Sequence, residues 1–317
     1  MNQISQYTLK ALRKLYAIIF STRTLPLPEC IQDVDTAATI IREKLMSNEP
    51  CMISRFGAFE INILVTYLSI KKEHHSVWKY IKGEELEWWW NMNHIHKHVK
   101  AFPQTEEKIE QFCKLMLGDI PLVDVLGSWL SDECYFEKDM KHSSKIDFEL
   151  LNPYFSKIPW TKALENKKVL VVHPFTQSIE KQYQKRELIF KNQQILPEFE
   201  LKTVKAVIGL GMNNSFTDWF EALDYMREEI DKVDFDVCLL GCGAYGFPLA
   251  AHIKRSGRKA VHMGGSLQLL FGLRGKRWED SSYNEQYIYS TLMNKHWIRP
   301  NVNEIPIHVK IEGGCYW

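Results

Sequence analysis

Residues 236–246 read DVCLLGCGAYG, in which an apolar strand runs into a GxGxxG loop, and a helical pattern follows from about Gly246. Glycines in such a loop let the backbone turn tightly and approach a ligand closely. The next helix N-terminus offers free N–H groups and a positive dipole end to a phosphate. The motif predicts either a phosphate cradle containing Gly241, Gly243, Tyr245 and Gly246, or glycines that only let the helix pack on the strand.

Apolar runs rich in β-branched residues alternate with helical patterns around this loop. The runs cover 51–54, 122–126, 169–172, 204–208, 235–240 and 260–263, and the helical patterns include 84–100, 215–230 and 246–256. Buried strands separated by helices are typical of a parallel sheet covered on both faces. We therefore predict an α/β fold, a Rossmann-like and mostly parallel sheet covered by helices, with ligands at the carboxyl edge of the strands.

The first 28 residues differ from the rest in pattern. Residues 4–20 combine apolar side chains with Lys10, Arg13 and Lys14, and the sequence TLPLP at 24–28 interrupts any helix. We predict an N-terminal amphipathic helix and linker over 1–28, and a Rossmann-like domain over 29–317. The helix either packs on its own domain or a partner, or lies on an anionic membrane as a peripheral contact.

Composition excludes several classes of protein. The net charge of +1, from 40 Lys+Arg and 39 Asp+Glu, argues against a surface that binds nucleic acid throughout. Seven cysteines without a CxxC pair predict reduced thiols rather than a disulfide framework. No apolar stretch has the length of a membrane span. The predicted location is cytoplasmic, with the inner face of the membrane as the site of any contact through residues 4–20.

The other predicted strand ends carry the remaining candidate side chains. They are Arg55, Gly57 and Glu60 after the first strand, His173 and Thr176 after the strand at 169–172, Gly264 and Gly265 after the strand at 260–263, and Lys276 and Arg277 in a basic loop downstream. Arginine forks suit phosphates, and hydroxyls at a helix N-terminus can hold a diphosphate. Each group also has a structural interpretation, as a helix cap, a loop residue or a surface cation.

The strand after the glycine loop argues against a nicotinamide dinucleotide. Rossmann dehydrogenases place an acidic residue at the end of that strand, where it holds a ribose hydroxyl. Here the strand KAVHM at 259–263 ends in Gly264, Gly265 and Ser266. We therefore expect no NAD, and an NAD-dependent oxidoreductase is the least favoured of three hypotheses.

The order of these motifs resembles that of the GT-D type bacterial glycosyltransferases. SRFGxxE at 54–60 comes first, and the strand, the glycine loop and a strand ending in Gly-Gly follow, so that the likeness covers about residues 50–275. The resemblance implies transfer of a sugar from a nucleotide-diphosphate donor to a glycan or lipid-linked acceptor in surface polysaccharide synthesis. The resemblance implies that 29–317 is a catalytic domain. Under this hypothesis Glu60 contacts the sugar or a metal, His173 is the reserve candidate for the general base, and the glycine turns and cations bind the donor.

One departure from that family concerns the metal. The family pattern Arg-Phe-Gly-Asp-Gly-Glu places an Asp and a Glu on Mn²⁺ or Mg²⁺, whereas Ala58 and Phe59 stand here before the retained Glu60. One carboxylate is a poor ligand set for either ion. Two hypotheses follow: an enzyme in which cations such as Arg55 neutralise the leaving diphosphate, and a non-catalytic nucleotide-sugar-binding or scaffold protein.

Overall fold

A computed structural model describes residues 2–20, 22, 24–92, 95, 105–207, 216–305 and 314–317. Within these ranges the strands are β1 Cys51–Ser54, β2 Val125–Ser128, β3 Ser144–Asp147, β4 Lys168–His173, β5 Glu200–Lys205, β6 Val237–Leu240 and β7 Lys259–His262. They form one sheet in the order β3-β2-β1-β7-β6-β4-β5. Every pairing in it is parallel, which confirms the predicted α/β class.

Helices cover both faces of this sheet. The α-helices are α1 Gln3–Ile19, α2 Val34–Met46, α3 Ala58–Ile70, α4 Val77–Ile81, α5 Glu106–Asp119, α6 Thr176–Tyr183, α7 Trp219–Asp231, α8 Gly246–Arg255, α9 Leu267–Leu270 and α10 Lys276–Glu279. Shorter 3-10 helices span Ile120–Leu122, Ser131–Phe136, Phe148–Leu151, Trp160–Leu164, Arg186–Leu188, Gly243–Tyr245, Gly264–Ser266, Tyr289–Leu292 and Val302–Glu304.

Alternate strand residues enter two separate cores. In β4, Leu170 and Val172 pack with α3, α5, α7 and α8 on one face, whereas Val169 and Val171 pack with α2, α6 and α9 on the other. Both sets are fully buried, as expected for parallel strands covered on both sides. The fold class is therefore set by continuous apolar strands, which the sequence displays directly.

The topology places a switch point at the centre of the sheet. From β1 the chain passes to α3 on one face, and from β7 it passes to α9 on the opposite face. These two strands are hydrogen-bonded neighbours, with Ile53 opposite Val261. A crevice outside the carboxyl ends of such strands is the usual ligand site of doubly wound sheets. The residues following Ser54 and His262 therefore define the place to look for a site.

Four local predictions need correction, two of them in strand bounds: β2 lies at 125–128 rather than 122–126, and β5 at 200–205 rather than 204–208. Strand β3 was not predicted, because Ile146 alone is buried in this edge strand, and an edge strand has no continuous apolar run. The helix predicted over 84–100 is wrong for 84–91, which is not helical. There Glu85 accepts a hydrogen bond from the Ser76 N–H, and Trp88 stacks on His75 with ring centroids 4.8 Å apart. Most of the rest of the 84–100 range lies outside the described residues. The predicted helix start near 215 and the predicted strand end at 208 lie outside them as well.

Helix α1 packs on its own domain through one face. The Arg13 guanidinium lies 4.8 Å from the centroid of the Tyr80 ring, and Lys10 forms a 3.0 Å ion pair with Glu87. The opposite face exposes large apolar side chains, which we call the exposed α1 face: Ile4, Tyr7, Leu15, Ile18 and Ile19. Among the described residues, no helix is both long and apolar enough to cross a bilayer.

Asp119 supplies a prediction about pH and stability. Its carboxyl is completely buried at the C-terminus of α5, 2.6 Å from the Arg255 guanidinium. Burial, partly opposed by Arg255, raises the pKa of Asp119 to about 6. An acid whose pKa is higher in the folded than in the unfolded protein destabilises the fold when it ionises. Stability from this group is therefore lost as pH rises from about 4 to about 6.

We expect Asp119→Asn to raise the free energy of unfolding by about 1–3 kcal/mol at pH 7.5 and to change it little at pH 4. Urea denaturation at both pH values measures this, with the exposed Asp139→Asn as the control. A variant that is less stable than the wild type at pH 7.5 would show that the Arg255 ion pair outweighs the cost of burial.

Candidate functional site at the switch point

Arg55 is the first side chain beyond β1 and lies among aromatic rings. Its Cζ is 5.0 Å from the centroid of Phe148, which follows β3, and 5.7 Å from that of Trp129, which follows β2. These two rings stack on each other with centroids 5.3 Å apart, and the indole N–H of Trp129 donates to the Phe56 carbonyl at 3.1 Å. The arginine is thus held between loops that leave three different strands.

The charge of Arg55 has no counterion in the described part of the chain. No carboxylate there lies within ion-pair distance, and the buried Nε has no hydrogen-bond partner. A half-buried guanidinium without an acid is costly unless an anion completes it. Aromatic rings supply part of the stabilisation through cation–π contact, and they leave the N–H donors available. Arg55 therefore has the properties of an anion-binding residue.

Gly264 lies directly against Arg55. Its φ of +69° is a left-handed conformation that glycine adopts without strain. A Cβ built there would lie 3.5 Å from Arg55 Cζ, so the guanidinium rests on the Gly264 backbone. The ends of β1 and β7 thus meet at one point, as the sequence predicted for Arg55 and Gly264.

His262, at the end of β7, belongs to the same cluster. Its Nδ1 is 3.1 Å from the Ser54 Oγ, and a Cβ on Gly246 would lie 2.2 Å from its Nε2. Burial, together with the nearby Arg55 charge, lowers the pKa of His262 to about 3. The ring is therefore neutral at physiological pH and acts as a hydrogen-bonding spacer beneath Arg55.

The glycine loop has two functions in the structure. Gly241 and Gly246 are packing glycines, because a Cβ on Gly241 would lie 2.6 Å from His173 Cδ2 and one on Gly246 would strike His262. Gly243 differs from them, since it has φ +58°, is exposed, and has open space where a Cβ would be. Packing thus explains two glycines of the motif, and only Gly243 offers its backbone to a ligand.

Two predicted site residues, Tyr245 in this loop and His173 at the end of β4, point into the protein. Tyr245 stacks on Trp219 with centroids 5.0 Å apart and ring planes 7° apart, and burial raises the pKa of its hydroxyl. His173 is buried and accepts a hydrogen bond from the Phe175 N–H at 3.0 Å. Burial lowers the pKa of His173 to about 3. Such a weak base is badly matched to proton transfer near neutral pH, so His173 as general base stays a prediction without support from its surroundings.

The N-terminus of α6, for which the sequence left both a helix cap and a diphosphate site open, already binds a carboxylate of the protein. The backbone N–H groups of Gln177 and Ser178 donate to the carboxylate of Glu304 at 2.8 and 3.1 Å, and the Ser178 hydroxyl donates to it as well. Glu304 is 5% exposed. The positive end of the helix is therefore already neutralised by the protein's own carboxylate, and the nearby Thr176 has no open helix terminus to share with a ligand.

Glu60, the carboxylate of the SRFGxxE stretch at 54–60, folds back onto the start of its own helix. A Cβ on Gly57 would lie 1.7 Å from Glu60 Oε2, so this carboxylate occupies the space above Gly57. Ala58 beside it has no oxygen donor. The described residues contain no group of three His, Cys, Asp or Glu side chains arranged for a metal ion. The residues at this position therefore do not fit Mn²⁺ or Mg²⁺.

The predicted basic loop packs against the segment at 314–317. Lys276 is exposed at the start of α10, whereas Arg277 stacks on Tyr316 with its Cζ 5.0 Å from the ring centroid. That tyrosine covers Gly265, because a Cβ on Gly265 would lie 2.1 Å from Tyr316 Cε1. The Gly265 backbone is thus shielded by a side chain, and Lys276 is the more accessible of the two cations.

Sequence reasoning missed three residues of this site: Trp129, Phe148 and His262. A sequence signal existed for His262 alone, since it ends a predicted strand beside the switch point. Of the predicted residues, the structure brings Arg55, Gly264, Gly241 and His173 into one contiguous cluster, while Tyr245 points away from it. No family model, curated protein or solved structure matches this chain.

Proposed function

We propose that this protein binds a nucleotide diphosphate-sugar at the carboxyl edge of the sheet and is a glycosyltransferase. The single observation behind this proposal is Arg55, whose guanidinium is half-buried at the switch point without an acid partner in the described chain. Its fork suits a diphosphate, and the exposed backbone of Gly243 lies on the neighbouring loop. Trp129, with 37% of its surface exposed, offers a ring on which a base or sugar can stack.

The chemistry assigned to Arg55 is neutralisation of the leaving group. In glycosyl transfer the bond between the anomeric carbon and the diphosphate oxygen breaks, and a bond from that carbon to an acceptor oxygen forms. Negative charge grows on the diphosphate as the first bond breaks. A fixed guanidinium in a partly desolvated position stabilises that charge without reorganising. The proposed reaction needs no metal ion, because Ala58 stands where the family pattern has its Asp, and Glu60 by itself does not make the carboxylate pair that would hold one.

The resemblance to GT-D type glycosyltransferases supports the choice of a sugar as the transferred group. It rests on SRFG at 54–57 followed by Glu60, and on the order of the later glycine turns. The acceptor would be a glycan or a lipid-linked sugar of surface polysaccharide synthesis. The exposed α1 face supports a lipid-linked acceptor at the inner surface of a membrane, since its apolar side chains accompany Lys14 and no acidic residue precedes Glu29.

A thermal-shift panel tests the proposed function. UDP-, GDP-, CMP- and dTDP-sugars and NAD(P)H are compared, each with and without Mn²⁺. A ligand at about 100 times its dissociation constant adds about 2.7 kcal/mol of stability. We expect one nucleotide-diphosphate sugar to raise the melting temperature equally with and without Mn²⁺, and NAD(P)H to have no effect. A panel without any stabilising nucleotide would refute the proposal.

A non-catalytic nucleotide-sugar-binding or scaffold protein is the second candidate. The observation in its favour is that Ala58 and the folded-back Glu60 leave the family's metal motif without a working carboxylate pair. Release of free nucleotide diphosphate from a bound donor separates the two candidates. An enzyme releases it in the presence of acceptor, whereas a scaffold binds the same donor without turnover.

A further inference from the structure

A cavity lies between α1, α3 and the tryptophan segment at 86–91. Its volume is about 320 Å³, which is enough for a saccharide residue. Its walls combine apolar rings with amide, hydroxyl and charged groups. They include Phe59, Trp89, Trp90, Asn62, Thr66 and Asp132.

Two carboxylates lie on the cavity wall, Asp132 and Glu87, and Glu87 is already paired with Lys10. Asp132 lies in the 3-10 helix Ser131–Phe136, which begins three residues after β2 ends, at the carboxyl edge of the sheet. It is half-buried, and within the described ranges it forms no ion pair and no hydrogen bond. Burial alone raises its pKa. A carboxylate kept partly from water without a partner is typical of a group that exchanges a proton with a ligand.

The loop that carries Asp132 is held by hydrogen bonds and adjoins the Arg55 site. The carboxylate of the adjacent Glu133 accepts hydrogen bonds from the N–H groups of Trp129 and Leu130 at 3.0 and 3.1 Å. Trp129 in turn contacts Arg55 and donates to Phe56. Phe59 lines the cavity from the first turn of α3, four residues after Arg55. The cavity and the anion site therefore flank the same β1–α3 junction.

The other charged groups on the cavity wall are fixed by neighbours. Lys10 pairs with Glu87 at 3.0 Å, and Arg13 donates to the Glu85 carbonyl at 3.2 Å. Both cations belong to α1, whose opposite face is exposed and apolar. One wall of the cavity is therefore the helix proposed to meet a membrane, and other parts of the wall come from the segments that follow β1 and β2.

We propose that this cavity binds the acceptor saccharide and that Asp132 is the base that takes the proton from its reacting hydroxyl. The half-buried Phe59 ring suits the apolar face of a sugar ring, and the amide, hydroxyl and carboxylate groups suit its hydroxyls. In the reaction the acceptor oxygen gives its proton to the Asp132 carboxylate and forms the bond to the anomeric carbon. The electron pair of the broken bond leaves with the nucleotide diphosphate. This inference rests on the proposed function.

The experiment has two readouts that separate this inference from the proposed function. In the first, the full chain is applied without donor to an array of bacterial mono- to tetrasaccharides. Asn62 is exposed on the cavity wall, so Asn62→Trp blocks the cavity without disturbing the core. We expect the wild type to bind a saccharide and Asn62→Trp to lose at least 10-fold in affinity. Failure to bind any saccharide, or equal binding by both proteins, overturns the proposal.

In the second readout, transfer to the bound saccharide is compared for the wild type, Asp132→Asn and Asp139→Asn. Asp139 lies in the same loop region but is exposed, outside the residues lining the cavity. We expect Asp132→Asn to slow transfer about 100-fold or more with unchanged donor affinity, and Asp139→Asn to match the wild type. If Asp132→Asn transfers the sugar at the wild-type rate, Asp132 is not the base. If no nucleotide sugar binds, both the proposed function and the role of Asp132 as base are refuted. The saccharide array alone then decides whether the cavity binds a saccharide.

Discussion

Replacing Arg55 with glutamine is expected to weaken binding of a nucleotide-diphosphate sugar by about 100-fold or more. Two charge-assisted hydrogen bonds from a guanidinium fork contribute about 1.5–3 kcal/mol each, and 1.4 kcal/mol corresponds to a tenfold change in affinity. Glutamine keeps the planar end of the side chain but removes the charge. Since Arg55 has no acid partner in the described chain, stability without ligand should change little.

Isothermal titration with the donor identified by the thermal-shift panel measures this loss. Arg55→Lys keeps the charge without the fork, and we expect it to restore part of the affinity. Arg258→Gln is the matched control, because Arg258 also stacks on an aromatic ring, at 4.3 Å from Phe235, but precedes β7 at the opposite edge of the sheet. Wild-type affinity in Arg55→Gln would refute the anion site.

The sequence allows the sheet and the position of Arg55 to be predicted because both depend on local pattern. Apolar runs in β4, β6 and β7 are buried on both faces, so they need no information from elsewhere in the chain. The boundaries of these strands shift by one or two residues, as for β6, which begins at Val237 rather than 235. Strand β3, half-buried at an edge, lacks that pattern and was missed.

The contacts that give each site its chemistry could not be predicted, because they join distant parts of the chain. Glu304 reaches the N-terminus of α6 across 126 residues, and no local signal links the two. Phe148 reaches Arg55 only because β3 lies two strands from β1 in the sheet. The same reason applies to Gly241 and Gly246, whose motif suggested a phosphate cradle but whose absent side chains make room for two histidine rings.

A double variant in which Leu15 and Ile18 are both replaced by glutamate is expected to lose binding to anionic vesicles. Its partition coefficient should fall by about 100-fold or more. Both side chains are more than half exposed on α1, so their replacement should change the stability of the fold little. Membrane binding, in contrast, loses the free energy of burying two apolar side chains in the bilayer. Burying each such side chain is worth about 1.5–3 kcal/mol when complete. The added negative charges also oppose anionic headgroups, which attract Lys14 in the wild type.

Sedimentation with vesicles of phosphatidylcholine and phosphatidylglycerol measures this binding, and vesicles of phosphatidylcholine alone report the electrostatic share. Leu188 and Ile158 are also exposed but lie far from α1 in sequence, so their double replacement by glutamate is the control. A wild type that fails to sediment would refute the membrane contact. The wild type could instead form a concentration-dependent dimer that the double glutamate variant does not form. That result would assign the exposed α1 face to a second copy of the chain, because two such faces can bury the same apolar side chains against each other without lipid.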